Sequence, residues 1–251
     1  MQISNQTALV TGGNRGIGAA FVRALLDAGA AKVYVGTRRL DAADALTSQD
    51  SRAAAVELDV TNEAQVAAAA EQCQDVSILV NNAGAFQNVT LMAAPDMAAA
   101  RNEMEVNYFG PLAMCRAFAP VLAANGGGAI VNVLSAGAIV AVPNMGGYSP
   151  SKFAARALST NLRAELQDQN TQVSALIVGS VDTRMAEHVQ GQKEPPAAIA
   201  RAGLKAIEKG IPEMDTDSFA INVRAAIARD PALVERQMAA ALKLDVLSTG
   251  R

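Results

Sequence analysis

Tyr148 and Lys152 stand four positions apart in Tyr148-Ser149-Pro150-Ser151-Lys152, so on a helix they share one face, about one turn apart. Ser135 lies thirteen positions earlier, at the end of an apolar run. A phenol, an amine and a hydroxyl at one place suit a carbonyl reduced by hydride, because the alkoxide formed needs a proton. A phenol near pKa 10 is a poor acid–base group at neutral pH. A neighbouring ammonium favours the phenolate, so Lys152 is expected to lower the pKa of Tyr148 while its donors hold ribose hydroxyls. Ser135 would hydrogen-bond the carbonyl and orient it. Singly, each has an ordinary reading: a helix-start aromatic, a surface lysine, a strand-end cap.

A second constellation opens the chain. An apolar run leads into Thr11-Gly12-Gly13-Asn14-Arg15-Gly16-Ile17-Gly18 and then a helical segment. Glycines permit a sharp turn and close approach to a pyrophosphate, and a helix start offers free N–H groups. The spacing is Gly-x-x-x-Gly-x-Gly, not the commoner Gly-x-Gly-x-x-Gly. Some twenty residues on, where an acidic side chain would accept a ribose 2′-hydroxyl, stand Arg38 and Arg39. A guanidinium meets a 2′-phosphate with forked, charge-assisted hydrogen bonds, and Arg15 could approach the same group. The expected cofactor is therefore NADP(H).

These groups need a scaffold that brings strand ends and helix starts to one edge. Apolar runs at residues 8–11, 32–36, 53–58, 76–80, 129–134 and 173–178 alternate with helical segments at 16–28, 62–73, 101–124 and 148–167. Continuous apolar strands separated by helices predict an α/β, doubly wound parallel sheet, a Rossmann fold, in a single domain over residues 1–251. Residues 182–216 break the pattern with Pro195, Pro196 and three glycines, and are expected to form a lid-like insertion after the sixth strand. Residues 217–251 read as a helical tail broken at Asp230-Pro231.

The 251 residues carry 21 basic and 24 acidic side chains, with 51% hydrophobic residues. That balance excludes wholesale disorder and gives no basic excess for nucleic acid. His188 is the single histidine and Cys73 and Cys115 the only cysteines, so no metal site is expected. No charged-then-apolar leader opens the sequence and no apolar run reaches eighteen residues. The expectation is a cytoplasmic protein with no membrane partner.

Taken together and in order, the motifs resemble the single-domain short-chain dehydrogenase/reductases over roughly residues 7–183. The matching positions are Thr11-Gly12-x-x-x-Gly16-x-Gly18, Asp59-Val60, Asn81-Asn82-Ala83-Gly84, Asn107, Ser135 and Tyr148-x-x-x-Lys152. The resemblance implies an NADP(H)-dependent carbonyl reductase or alcohol dehydrogenase, with Tyr148 as general acid–base, Lys152 as activator and ribose ligand, and Ser135 positioning the carbonyl. It implies Asn107 as holder of a water linked to Lys152. Asp59 would accept from the adenine amino group beside the Val60 backbone, and Asn82, Ala83 and Gly84 would pass the adenosine ribose. Val178-Gly179-Ser180-Val181-Asp182-Thr183 lacks the family's usual Pro-Gly, yet Val181 and Thr183 still align with its carboxamide-binding turn. The family's usual seventh strand and glycine-rich end are not evident; a short strand at 210–214 would replace them.

Two other activities fit some of these residues. Reduction of 3-oxoacyl thioesters would need a basic cleft mouth, for which only Arg184 and Lys193 are placed. A non-catalytic NADP-binding sensor would have no need of the Tyr148, Lys152, Ser135 and Asn107 set. Met145, Met185 and Phe86 are candidates for an apolar substrate wall or for plain packing, and His188 reads as a solvated loop residue. Small residues on the helices bearing Asn107 and Tyr148 predict a homodimer or homotetramer.

Overall fold

The structure, a computed structural model, describes residues 1–248. Its strands are β1 (Thr7–Thr11), β2 (Lys32–Thr37), β3 (Ala53–Glu57), β4 (Ile78–Asn81), β5 (Gly128–Val133), β6 (Thr171–Ile177) and β7 (Glu213–Asp215). All pair in parallel in the order β3-β2-β1-β4-β5-β6-β7. The helices are α1 (Gly16–Asp27), α2 (Asp44–Thr47), α3 (Glu63–Gln72), α4 (Ala98–Met104), α5 (Gly110–Ala124), α6 (Tyr148–Glu165), α7 (Pro196–Lys209), α8 (Ser218–Arg229) and α9 (Pro231–Ser248).

The strands are apolar throughout because helices cover both faces. Ala8 and Val10 of β1, with Ile78 and Val80 of β4, face α1 and α7; Leu9 and Leu79 face α3, α5 and α6. From β1 the chain runs outward through β2 and β3, then returns to β4 on the other side of β1. The connections after β1 and β4 therefore leave toward opposite faces, and a crevice opens between them at the carboxyl edge. This is the expected Rossmann-like sheet, with a seventh strand at Glu213–Asp215.

Two expectations are corrected in detail. Residues 101–124 are not one regular helix: a single π turn, Glu105–Phe109, joins α4 to α5. Pro111 explains it, since proline has no N–H for the carbonyl of Asn107 and its ring crowds that carbonyl. The lid drawn over residues 182–216 is too long. Its second half is α7 and β7, where Ile199, Ala200, Gly203, Ala206 and Ile207 are buried, largely against α1. Only residues 182–195 form an irregular excursion, pinned by a bridge between Val181 and Glu194. The tail forms two helices broken at Asp230, as expected, and Val234 and Met238 of α9 pack on Val140, Val142, Val223 and Ile227. Residues 249–251 of that tail lie outside the described residues. No helix among the described residues is long and apolar enough to cross a membrane.

Phe21 of α1 is, with Phe118, one of the two bulkiest fully buried side chains among the described residues, and it presses on Gly203 of α7. A Cβ at Gly203 would come within 2.4 Å of the ring. Phe21→Ala should therefore lower the unfolding free energy by about 3–5 kcal/mol. Urea denaturation followed by circular dichroism measures this; a loss below about 1 kcal/mol would contradict the packing.

Candidate active site

The crevice is built from the switch point outward. The Asn82 side chain, just past β4, donates from Nδ2 to the carbonyls of Thr11, 2.9 Å, and Gly12, 3.2 Å. Thr11 Oγ1 in turn accepts from the amides of Asn82 and Ala83, each at 3.0 Å. The glycine loop is thus tied to the neighbouring strand. Gly12 and Gly16 have φ of +60° and +54°, where a side chain is strained. Gly18 is required for a different reason: a Cβ there would lie 2.2 Å from the Gly12 carbonyl oxygen and 2.6 Å from Asn82 Nδ2. Helix α1 begins at Gly16 after an extended Arg15 that supplies no side-chain cap, so its first N–H groups face the crevice without that partner. Asn14 is half-buried in the loop, Ile17 turns into the core, and Thr183 lies against Gly16.

At the end of β2, Arg38 and Arg39 are both exposed. Arg39 forks onto Asp41, which leaves Arg38 as the member of the pair with no ion-pair partner among the described residues. Asp59 Oδ1 accepts from the amide and hydroxyl of Thr61, at 3.0 and 2.7 Å, so part of the expected adenine acceptor is engaged in a turn. The Val60 side chain is buried against Gly110. Gly84 brings the loop beside Asn107 and Lys152: a Cβ there would lie 3.4 Å from Asn107 Oδ1 and 3.9 Å from Lys152 Nζ. Val181 is buried in the turn that leads to Thr183.

Tyr148 and Lys152 begin α6 and are almost fully buried, with Lys152 Nζ 5.6 Å from the Tyr148 ring centroid. Ser135 ends the segment after β5 and accepts from the Gly137 amide at 3.1 Å; a Cβ at Gly137 would lie 3.5 Å from Ser135 Oγ and 3.6 Å from the Tyr148 ring, so the two side chains flank one glycine. Asn107 sits in the π turn, donating to Ala85 O (2.9 Å) and Ser151 Oγ (3.0 Å) and accepting from Ala85 N (2.8 Å). The three side chains expected from spacing and Asn107, implied by the resemblance, thus converge at one edge.

Their electrostatics differ from the expectation. Burial pushes Tyr148 up to about 12, against the pull of the nearby Ser135 hydroxyl and with a further push from Glu103. Burial pushes Lys152 down to about 8. The lysine donates to the Val133 carbonyl at 3.0 Å, so its proton is directed at the strand end and not at the phenol oxygen. In this state the phenol is held protonated, a donor and not a base.

Several contributors carry no spacing signal. Glu103 of α4 is buried and accepts from the Gln87 amide at 2.8 Å. Asp217 caps α8 and accepts from the Gly179 amide at 2.7 Å, anchoring the turn after β6. The Phe86 ring packs edge-on to Tyr148 at 5.2 Å and tilted against His188 at 5.3 Å. His188 is exposed, as read from sequence, but one ring face is engaged.

With this architecture established, likeness to known proteins follows. The chain belongs to the short chain dehydrogenase family, whose pattern matches residues 6–194, and it is accordingly an oxidoreductase. A short-chain dehydrogenase from Burkholderia cenocepacia, solved in complex with NADP, superposes with a TM-score of 0.90 at 41% identity, covering 95% of this chain and 99% of that one. A 3α-hydroxysteroid dehydrogenase from Mediterraneibacter gnavus is 31% identical over 222 residues, 84% of each chain. A short-chain dehydrogenase from Penicillium crustosum is 35% identical over 187 residues, 72% of this chain and 68% of that protein.

Lys152 has a consequence for stability. Its folded pKa of about 8 lies below its ordinary 10.5, so below pH 8 the folded state bears a buried charge at full penalty. That penalty is about 3 kcal/mol and fades as pH rises from 8 to 10.5. Lys152→Met should therefore raise the melting temperature at pH 7, by about 1–3 kcal/mol of stability, with the gain vanishing above pH 10. Scanning calorimetry at both pH values checks this; a variant less stable at pH 7 would show that the carbonyl bond outweighs desolvation.

Proposed function

We propose that the protein is an NADP(H)-dependent carbonyl reductase or alcohol dehydrogenase interconverting a ketone and a secondary alcohol. The observation that carries this reading is the burial of Tyr148 and Lys152 side by side, with Ser135 across Gly137 from the Tyr148 ring, at the edge where the glycine loop opens.

NADP(H) would supply or accept the hydride. The residues fit it: an α1 start without a side-chain cap for the pyrophosphate, with Gly12, Asn14, Arg15, Gly16, Ile17 and Gly18 around it, and Arg38 free for a 2′-phosphate. Asp59, Val60, Asn82, Ala83 and Gly84 would border the adenosine, and Val181 and Thr183 the nicotinamide end. Ser135 and Tyr148 would both hydrogen-bond the carbonyl oxygen, fixing its position. As charge develops on that oxygen, Tyr148 releases its proton to it. Lys152, positive below pH 8, stabilises the phenolate left behind and orients ribose hydroxyls. Asn107, held between Ala85 and Ser151, would seat a water that returns the proton. In oxidation the same groups work in reverse.

Residues 182–195 serve as the substrate lid, and the contact of His188 with Phe86 brings them to Tyr148. Phe86, with Met145 and Met185 nearby in the two flanking segments, gives an apolar wall. Together with the hydroxysteroid activity of one relative, this makes bulky apolar ketones the first class to test. Exposed Phe109 and Phe153, beside α5 and on α6, support a homodimer or homotetramer through those helices.

Tyr148→Phe should lower kcat by at least about a hundredfold with NADPH and a ketone panel, with the fold intact by circular dichroism. Equal turnover by the variant refutes the assignment. Arg38→Asp should raise KM for NADPH at least about tenfold while leaving NADH use little changed. An unaltered NADPH-to-NADH ratio would remove Arg38 from the 2′-phosphate site.

A further inference from the structure

We propose that Glu103 is a positioning residue of this site, a buried carboxylate that sets how tightly Tyr148 holds its proton and braces the loop carrying Phe86. The inference rests on the reading of Tyr148 as the proton donor.

Glu103 is 1% exposed, and its two oxygens lead to two different elements. Oε1 accepts from Gln87 N at 2.8 Å. Oε2 is buried and has no hydrogen-bond partner among the described residues. It lies against Gly147, where a Cβ would come within 2.7 Å of it. Gly147 is the residue that precedes Tyr148 at the start of α6, and no side chain of its own segment caps that helix. The positive end of the α6 dipole therefore falls beside the phenol, where alone it would favour the phenolate. Glu103 places a negative charge at that same end. It offsets the dipole and opposes loss of the Tyr148 proton, and burial strengthens the effect by removing water.

Glu103 and Asn107 are one turn apart, and both grip the loop after β4: Asn107 takes Ala85 and Glu103 takes Gln87. Phe86, between them, is thereby held edge-on to Tyr148. The charged or titratable groups around Tyr148 are Lys152 on α6, Glu103 on α4 and His188 across the Phe86 ring. Arg101 and Glu105, the charged neighbours of Glu103 along its own helix, are exposed. Burial raises the pKa of Glu103 itself, against the pull of the Gln87 amide. As pH falls and it takes up a proton, its hold on Tyr148 weakens.

Glu103→Gln separates charge from shape, because its amide oxygen can still accept from Gln87 N. The full chain, labelled with 13Cζ-tyrosine, is titrated by NMR from pH 7 to 11, and Tyr148 is assigned among the three tyrosines by Tyr148→Phe. In Glu103→Gln the Tyr148 resonance should move toward phenolate at a pH at least about half a unit lower than in the parent. The rising limb of kcat/KM for alcohol oxidation should shift the same way. A purely structural Glu103 predicts no shift in either. If Tyr148 in Glu103→Gln stays as un-ionised as in the parent through pH 11, the proposal is overturned. Should that variant not fold, Glu103→Ala also removes the charge; a Tyr148 titration lowered by the same margin then supports the proposal, and a parental one overturns it. The NMR readout does not need turnover, so a shifted resonance in a protein that reduces no ketone would defeat the catalytic reading and leave this one standing.

Discussion

One amide holds the crevice in register. Asn82 is the first residue past β4, and its side chain reaches sideways to two carbonyls at the end of β1. The sheet order puts these two strands next to each other although sixty-odd residues separate them. Without that bond the glycine loop would be a run of flexible positions; with it, Gly12 and Gly16 are fixed in left-handed conformations that aim the start of α1 into the crevice. Thr183 reaches the same loop from beyond β6, so the two halves of the sheet meet there. The positions of Tyr148, Lys152 and Ser135 matter only because this edge is a defined place.

A second constraint is desolvation. The site buries a phenol, an amine and a carboxylate close together, and each is pushed toward its neutral form. Such a set is a poor contributor to stability and a good one to proton transfer, since small changes in surroundings alter which group carries the proton. The surrounding carbonyls and amides, Val133 O on the lysine and Gln87 N on the glutamate, keep the arrangement from collapsing.

The fold and the meeting of Tyr148, Lys152 and Ser135 at one edge were legible in the sequence because both depend on short-range patterns. Apolar runs give strands, and a four-residue gap gives one helix face. The glycine spacing marks a turn without naming its ligand, and the lack of an acid at Arg38 bears on the choice of nucleotide. What could not be read depends on which elements meet. Nothing local in residues 196–209 distinguishes a lid helix from one whose buried stripe packs on Phe21. Glu103 looks like any helical glutamate until Gly147 is seen against it, and Asp217 like any cap until Gly179 is. The phenol pKa failed for the same reason: spacing puts Lys152 beside Tyr148 but does not say that the amine points to Val133. Arg38 and Arg39 are alike in sequence, and only the fork onto Asp41 tells them apart.

The π turn at Glu105–Phe109 fixes the phase between two helices. It carries one residue more than a regular turn, so α4 is rotated relative to α5 by the share of one residue, about 100°. Loss of any single residue in that turn would remove the extra residue and keep the buried stripe of Met114, Phe118 and Leu122 in place, with Pro111 still interrupting the hydrogen-bond ladder. It would also swing Glu103 round the helix axis, away from α6. Length matters here more than residue identity: a substitution perturbs one contact, whereas a one-residue deletion changes the facing of α4 as a whole.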